Sequence, residues 1–333
     1  MVNKENYDLK NLNILDSITT VKVLTDFIGK YDVIQVLIDH DITFYMYVRG
    51  DIYNVEKDEV LTKFKECNYS FSKLNNMLNG EYCIIILKYD NLKLRHVYIS
   101  VDYGGVNSVY YFLKDNNVYI LRGEAERQEE TRLLEGGELL EFKIEENKIV
   151  AEIFNIYKPD INLKAFLSGN IYGDKVREKA KEVIKNAIKR RCKGMSKVGI
   201  LKEEIEEGLI DESIKRMINE IGVEIEEIGM PAPASKVRII SMKGRKEIEM
   251  KNRIDDHSLS ASPCRKSMMS VHMNNMREID GITLRLKKKG WLSEYQDLVS
   301  QQSLVSYPFL DREVIEFYKS LHPKIKLNNN LFI

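Results

Sequence analysis

Several things that mark specialised chains are scarce or missing in these 333 residues. Four cysteines, Cys67, Cys83, Cys192 and Cys264, are scattered and none stand at CxxC spacing, so neither a disulfide frame nor a thiolate metal knuckle is expected. The reducing cytoplasm is the compartment such a pattern suits. No apolar run approaches the length of a bilayer span, and the opening MVNKENYDLK holds no signal-peptide core, so no membrane partner is expected. Neither sign of charge prevails: 51 basic and 51 acidic residues cancel, so no global field steers the chain to nucleic acid. What is present, 44% apolar and 31% charged residues, is the composition of a globular chain, and the length gives room for two domains with a core each.

The first half reads as strands. Asp32–Leu37, Thr43–Arg49, Tyr82–Lys88, Val97–Val101, Val109–Leu113 and Asn117–Leu121 are rich in Ile, Val, Tyr and Phe, with polar or Gly-containing turns between them. Lys114-Asp115-Asn116-Asn117 suits a hairpin turn, and Val60–Cys67 suits a helix. Antiparallel sheets with a little helix make an α+β domain. The polar stretch Asn155–Gly173, with Pro159, Gly169 and Gly173, is the expected boundary between domains at 1–160 and 174–333.

Beyond it the pattern changes to alternating helix and strand. Asp174 is placed to cap a helix whose Val176, Ala180, Val183, Ile184, Ala187 and Ile188 share one stripe. Lys197–Leu201 reads as a buried strand, Asp211–Ile221 as a helix, and Val223–Ile228 and Lys236–Met242 as further strands, which predicts an α/β unit with a parallel sheet. Near the end, Pro308 opens a turn and Asp311 can cap a helix carrying Leu310, Val314, Phe317, Tyr318 and Leu321 on its apolar face, stopped by His322-Pro323.

Two sets of motifs carry a resemblance. Tyr307-Pro308-Phe309-Leu310-Asp311, an apolar helix and then Leu321-His322-Pro323-Lys324-Ile325-Lys326 follow Asn275-Met276-Arg277-Glu278-Ile279-Asp280. In the first half, Arg49-Gly50-Asp51-Ile52-Tyr53-Asn54, Leu78-Asn79-Gly80-Glu81-Tyr82, Ser100-Val101-Asp102-Tyr103-Gly104-Gly105 with Val109-Tyr110-Tyr111, and Leu134-Glu135-Gly136-Gly137 come in order. Together they resemble the asparagine synthetase family, in its β-lactam synthetase-like branch. The resemblance implies an N-terminal Ntn-hydrolase-like αββα sandwich, then a shortened α/β domain of the ATP-pyrophosphatase (adenine nucleotide alpha hydrolase-like) type. The family activates a carboxylate as its adenylate with ATP and magnesium, and an amine then displaces AMP.

The resemblance also implies where chemistry has been lost. A glutaminase of this family attacks with an N-terminal cysteine, and Val2 stands there with no thiol before Cys67. Arg49 replaces the family's oxyanion-binding Asn, so the first domain is expected to be an inactive scaffold. After Val198-Gly199-Ile200-Leu201 the family's Ser-Gly-Gly-x-Asp-Ser loop is absent. Gly208, Asp211 and Ser213 are its expected remnants, with Asp211 in the magnesium role, and Ser241 and Asp311 complete the expected cofactor-binding set. Glu203, Glu204, Glu206 and Glu207, where a polyanion would enter, read as a solvated acidic start to a helix. The second acidic Gly-rich segment and a downstream Lys are not found before Ile333.

The expectation is therefore a degenerate relative that acts by binding or regulation, with a protein partner or a second copy of itself and no cofactor. The alternative is an AMP-forming amide ligase using ATP, magnesium and an amino-acid-like substrate. Three lesser features are weighed as ordinary surface or core. They are His257, Cys264 and His272 as a metal set, Arg285 with Lys287–Lys289 beside Trp291 as an RNA contact, and Met268, Met269, Met273 and Met276 as a stripe. Lys243-Gly244-Arg245-Lys246 is noted as a conceivable phosphate contact.

Overall fold

The computed structural model describes residues 2–3, 21–23, 33–107, 109–114, 117–121, 131–145, 148–155, 173–229, 237–245 and 305–321. The expected hairpin turn at 115–116, the polar linker, the His and Met features of 255–276, the basic run of 285–289 and the His322-Pro323 helix stop lie outside these residues. The chain divides into two compact units, Met1–Lys158 and Pro159–Ile333.

In the first unit, strand β5 (Gly80–Asp90) explains the layering. Its run Tyr82-Cys83-Ile84-Ile85-Ile86-Leu87 is apolar without alternation, which a strand needs only when both its faces are covered. Cys83, Ile85 and Leu87 point one way and Tyr82, Ile84 and Ile86 the other, as the two-residue period requires. Flanking β5 are β3 (Val33–Asp39), β4 (Ile42–Ile52), β6 (Lys93–Val101), β10 (Glu138–Glu145) and β11 (Lys148–Asn155), with β1 (Val2–Asn3) on the far edge. They form a seven-stranded sheet in the order β1-β3-β4-β5-β6-β10-β11, every neighbouring pair antiparallel.

One face of this sheet packs on a four-stranded sheet of β2 (Val21–Val23), β7 (Val109–Lys114), β8 (Asn117–Leu121) and β9 (Arg132–Leu134), through Val109, Tyr111, Val118, Ile120 and Leu134. The other face is covered by α1 (Val60–Glu66) and α2 (Phe71–Met77), whose Val60, Leu61, Phe64, Phe71 and Leu74 are buried against Phe44, Met46, Val48, Ile84 and Ile86. Gln35 fastens the helix layer to the sheet, donating to the Lys57 carbonyl and accepting from the Leu61 N–H. Helix α2, which the sequence reading passed over, is set by Ser70, whose hydroxyl accepts from the Lys73 N–H. Strands β10 and β11 were likewise not anticipated: Glu138, Glu141, Lys143 and Glu145 mask a strand whose inward residues Leu140, Phe142 and Ile144 are all buried.

The four N-terminal motifs of the resemblance meet at one corner of this unit. The Asp102 N–H donates to the Tyr82 carbonyl, and the Asp102 carbonyl accepts from Gly105 and Gly137. The Asp102 carboxylate, fully buried, accepts the Val106 and Asn107 N–H groups at 3.1 Å each, and the Asn107 side chain donates to the Glu81 carbonyl at 2.6 Å. Gly50, paired with Tyr82, has φ +83°, and a Cβ on it would sit on the Glu81 carbonyl oxygen.

The second unit is built on a parallel sheet of β12 (Lys197–Leu201), β13 (Glu224–Ile228), β14 (Ile239–Ile240) and β15 (Val305–Ser306), in the order β13-β12-β14-β15. The long helix α3 (Gly173–Arg191) precedes it, and Ala180, Val183, Ile184, Ala187 and Ile188 are buried on the expected stripe. Two short helices, α4 (Lys202–Glu206) and α5 (Glu212–Glu220), lie between β12 and β13. A 3-10 turn at Pro308–Leu310 leads into α6 (Arg312–Ser320), with Asp311 as N-cap accepting from the Glu313 N–H at 3.0 Å. On α6 the buried positions are Val314, Ile315, Tyr318 and Lys319, so Ile315 takes the place expected of Phe317, which is half-exposed.

Asp102 is the test of the first unit. Asp102→Ala strands two N–H groups at a buried corner and is expected to cost about 2–4 kcal/mol in urea unfolding.

Candidate functional site at the sheet switch point

The second unit's strand order locates a site. After β12 the chain goes to β13 on one side, then returns to place β14 and β15 on the other. Such a reversal opens a crevice beyond the carboxyl ends of the two central strands. The residues leaving β12 and β14 are Lys202–Asp211 and Ser241–Arg245, so the remnant loop and the Lys243–Arg245 part of the basic tetrapeptide meet there.

A buried acid holds the meeting point. Glu204, in the single turn of α4, is 0% exposed. Its carboxylate accepts from the Ser241 hydroxyl at 2.5 Å and from the Met242 N–H at 2.6 Å. Its backbone carbonyl accepts from the Leu209 and Ile210 N–H groups. Burial pushes the Glu204 carboxyl up to about 7, against the opposing pull of Ser241, Met242 and Lys243. Around this centre, Lys243 Nζ meets Glu207 at 3.0 Å, and Arg245 donates to the Leu209 carbonyl at 2.7 Å and to Asp211 Oδ2 at 2.8 Å. The other Asp211 oxygen caps α5 through the Ile214 N–H at 3.0 Å.

The acidic run is thus not a solvated helix start. Glu206 and Glu207 are exposed, but Glu204 is turned into the protein and bonded on both oxygens. The strand expected over Lys236–Met242 is two residues long among those described, because Ser241 and Met242 turn their donors towards Glu204. Five residues are too few for periodicity to reveal which glutamate faces inward, and no other signal in the sequence marks Glu204.

Of the expected cofactor residues, Ser241 and Asp211 are brought into this cluster, each spent on a partner within the chain. Gly208 stands at φ +69° with open space around it, a turn conformation that suits glycine. Ser213 is half-buried in the first turn of α5. As arranged, the residues do not fit a magnesium nucleotide. Asp211 is committed to Arg245 and to its cap, and among the described residues no group of three His, Cys, Asp or Glu side chains stands ready for a metal ion.

Asp311 belongs to a different cluster, one that the sequence reading missed on its basic side. Arg191 Nη1 meets Asp311 Oδ2 at 2.7 Å with both side chains fully buried, and Arg190 Nη2 meets Oδ1 at 2.8 Å. Burial pushes the Asp311 carboxyl up, but Arg191 and Arg190 with the Glu313 N–H outweigh it and hold the group below the usual carboxylate range. The carboxylate thereby bolts α3 to α6.

No protein-family model matches the chain, and no curated protein matches it. Among the described residues no helix is long and apolar enough to cross a membrane.

Glu204 and Asp311 respond to pH in opposite senses. Glu204 keeps its proton in the folded chain after the unfolded chain has lost it at about 4.5, so stability falls as pH rises from about 4.5 to 7, by about 3 kcal/mol. Glu204→Gln keeps an acceptor without the charge, and urea unfolding across that range should show the slope removed. Asp311 contributes above its unfolded value, and its contribution is lost on acidification through its lowered folded value. Asp311→Ala, which leaves Arg191 buried without this carboxylate, should cost about 3–5 kcal/mol in the same assay.

Proposed function

We propose that the protein is a relative of the asparagine synthetases, of the β-lactam synthetase-like branch, that acts by binding or regulation and not by ligation. In this reading residues 1–160 are an inactive glutaminase-like Ntn scaffold and residues 174–333 a shortened ATP-pyrophosphatase-like domain. Its partner is a protein or a second copy of the chain.

The observation that carries the reading is the Glu204 seat. In an open parallel sheet, the backbone and hydroxyl donors beyond the central strands are the groups that hold a bound anion. Here the Ser241 hydroxyl and the Met242 N–H are given to a carboxylate of the chain itself. A protein built to cleave a nucleotide at this crevice would have to expel a buried, doubly bonded acid in every turnover. The layered first unit supports the scaffold part of the reading, as does the convergence of its four motifs on Asp102, whose carboxylate is spent on the Val106 and Asn107 N–H groups.

The competing reading, an AMP-forming amide ligase with ATP, magnesium and an amino-acid-like substrate, draws on the same crevice position. Isotope exchange between labelled pyrophosphate and ATP, run with magnesium and a panel of amino acids, separates the two. No exchange above background is expected, and exchange that depends on one amino acid would overturn the non-catalytic reading.

A further inference from the structure

We propose that strand β11 is a docking edge at which a second copy of the chain pairs antiparallel, about a two-fold axis through Ala151, so that two seven-stranded sheets become one. The pairing rests on the binding reading above and names its partner as the chain itself.

Among the described residues β11 ends the sheet and pairs with β10 alone. It runs eight residues in unbroken register with β10, with neither bulge nor proline, two of the devices that blunt an edge. In an antiparallel ladder, alternate residues turn their N–H and C=O groups away from the neighbouring strand. The free side of β11 therefore presents a row of backbone donors and acceptors. Large apolar side chains stand in the open on the same strand, Ile153 at 47% and Phe154 at 42% exposure. An edge with both features is a template for another strand.

Charge selects the strand that fits. On the face towards α1 and α2, Lys88, His96, Lys143 and Val150 stand side by side across β5, β6, β10 and β11. Two residues along, Ile86, Tyr98, Glu141 and Glu152 make the next row. The first row holds the lysines and the second the acids. They attract each other within the chain: Lys143 Nζ meets Glu152 at 2.8 Å, and His96 Nδ1 lies 2.8 Å from Glu141. A two-fold axis through Ala151, perpendicular to the sheet, sets Val150 opposite the second copy's Glu152. The lysine row of each copy then runs into the acid row of the other. On the opposite face the same axis sets Ile149 against the second copy's Ile153 and Ala151 against itself. These positions continue the rows of Ile144, Leu140 and Phe142, which are already core. The exposed isoleucine is thereby covered, and the smallest side chain of the strand sits where the copies meet.

Other axes match less well. One through Glu152 sets that carboxylate against its own counterpart, and one through Val150 runs lysine row into lysine row. Like charges set opposite one another destabilise a strand pair. An axis between two residues turns the apolar face of one copy to the charged face of the other. Axes nearer either end leave about half of the strand unpaired. The Ala151 axis alone matches both faces along the strand.

One strand pairing is small beside the roughly 1,200–2,000 Å² of a stable interface, so a weak dimer is expected, with Kd about 10–100 μM. Sedimentation equilibrium of the full chain across that range should show the wild type passing from monomer towards dimer. Val150→Glu sets an acid opposite the second copy's Glu152 at two symmetric places and should weaken association about tenfold. Adding Glu152→Lys places opposite charges at the same positions and should restore the wild-type Kd. Ile153→Lys, a substitution at an exposed side chain, should weaken association from the other face and carries the test if Val150→Glu melts early. A wild type that stays monomeric, association untouched by Val150→Glu or Ile153→Lys, or a loss that Glu152→Lys does not restore would each overturn the pairing. Each would leave the non-catalytic reading standing with a different protein as partner. Pyrophosphate exchange would sink that reading and leave the sedimentation result as it is.

Discussion

The second unit depends on a carboxylate held out of water between Ser241 and Met242. A glutamate in such a place is costly unless each oxygen finds a donor, and here a hydroxyl and a backbone N–H supply them. In return the acid decides where the chain turns after two different strands. It draws Ser241 and Met242 out of line beyond β14, and the carbonyl of the same residue gathers Leu209 and Ile210 behind it. Lys243 and Arg245 are then carried to Glu207 and Asp211 by the path the backbone already follows. The crevice is therefore shaped from inside by one acid and latched from outside by two.

The first unit solves a different problem. A sheet buried on both faces has little use for polarity, and its polar groups collect at the corner around Asp102 and at the Gln35 link to the helix layer.

How much of this was legible depended on the kind of signal each residue leaves. Lys197–Leu201, the α3 stripe and the Asp311 cap rest on local patterns of apolar spacing and helix-start chemistry, and these need no knowledge of neighbours. The roles of Glu204, Arg190 and Arg191 could not be read in that way. Glu204 looks like the other glutamates of its run, and the two arginines look like the basic last turn of any helix. What distinguishes them is a partner 37 residues away for Glu204 and 120 or more for the arginines. The strands β10 and β11 were missed because their charged outward residues conceal a shorter apolar alternation. Asp211 and Ser241 were read as cofactor residues; their partners within the chain, Arg245 and Glu204, left no local signal.

The bolt between Arg191 and Asp311 spans 120 residues of chain. Synthesis proceeds from the amino end, so α3, β12 and β13 emerge on the ribosome well before residues 305–321 exist to meet them. During that interval β14 has no β15 beside it, and Arg191 has not yet received the carboxylate that compensates its burial. Contacts of such separation form late, and an open strand edge is a site for wrong pairing while they are awaited. The nascent second unit is therefore the part of this protein with most reason to need a chaperone.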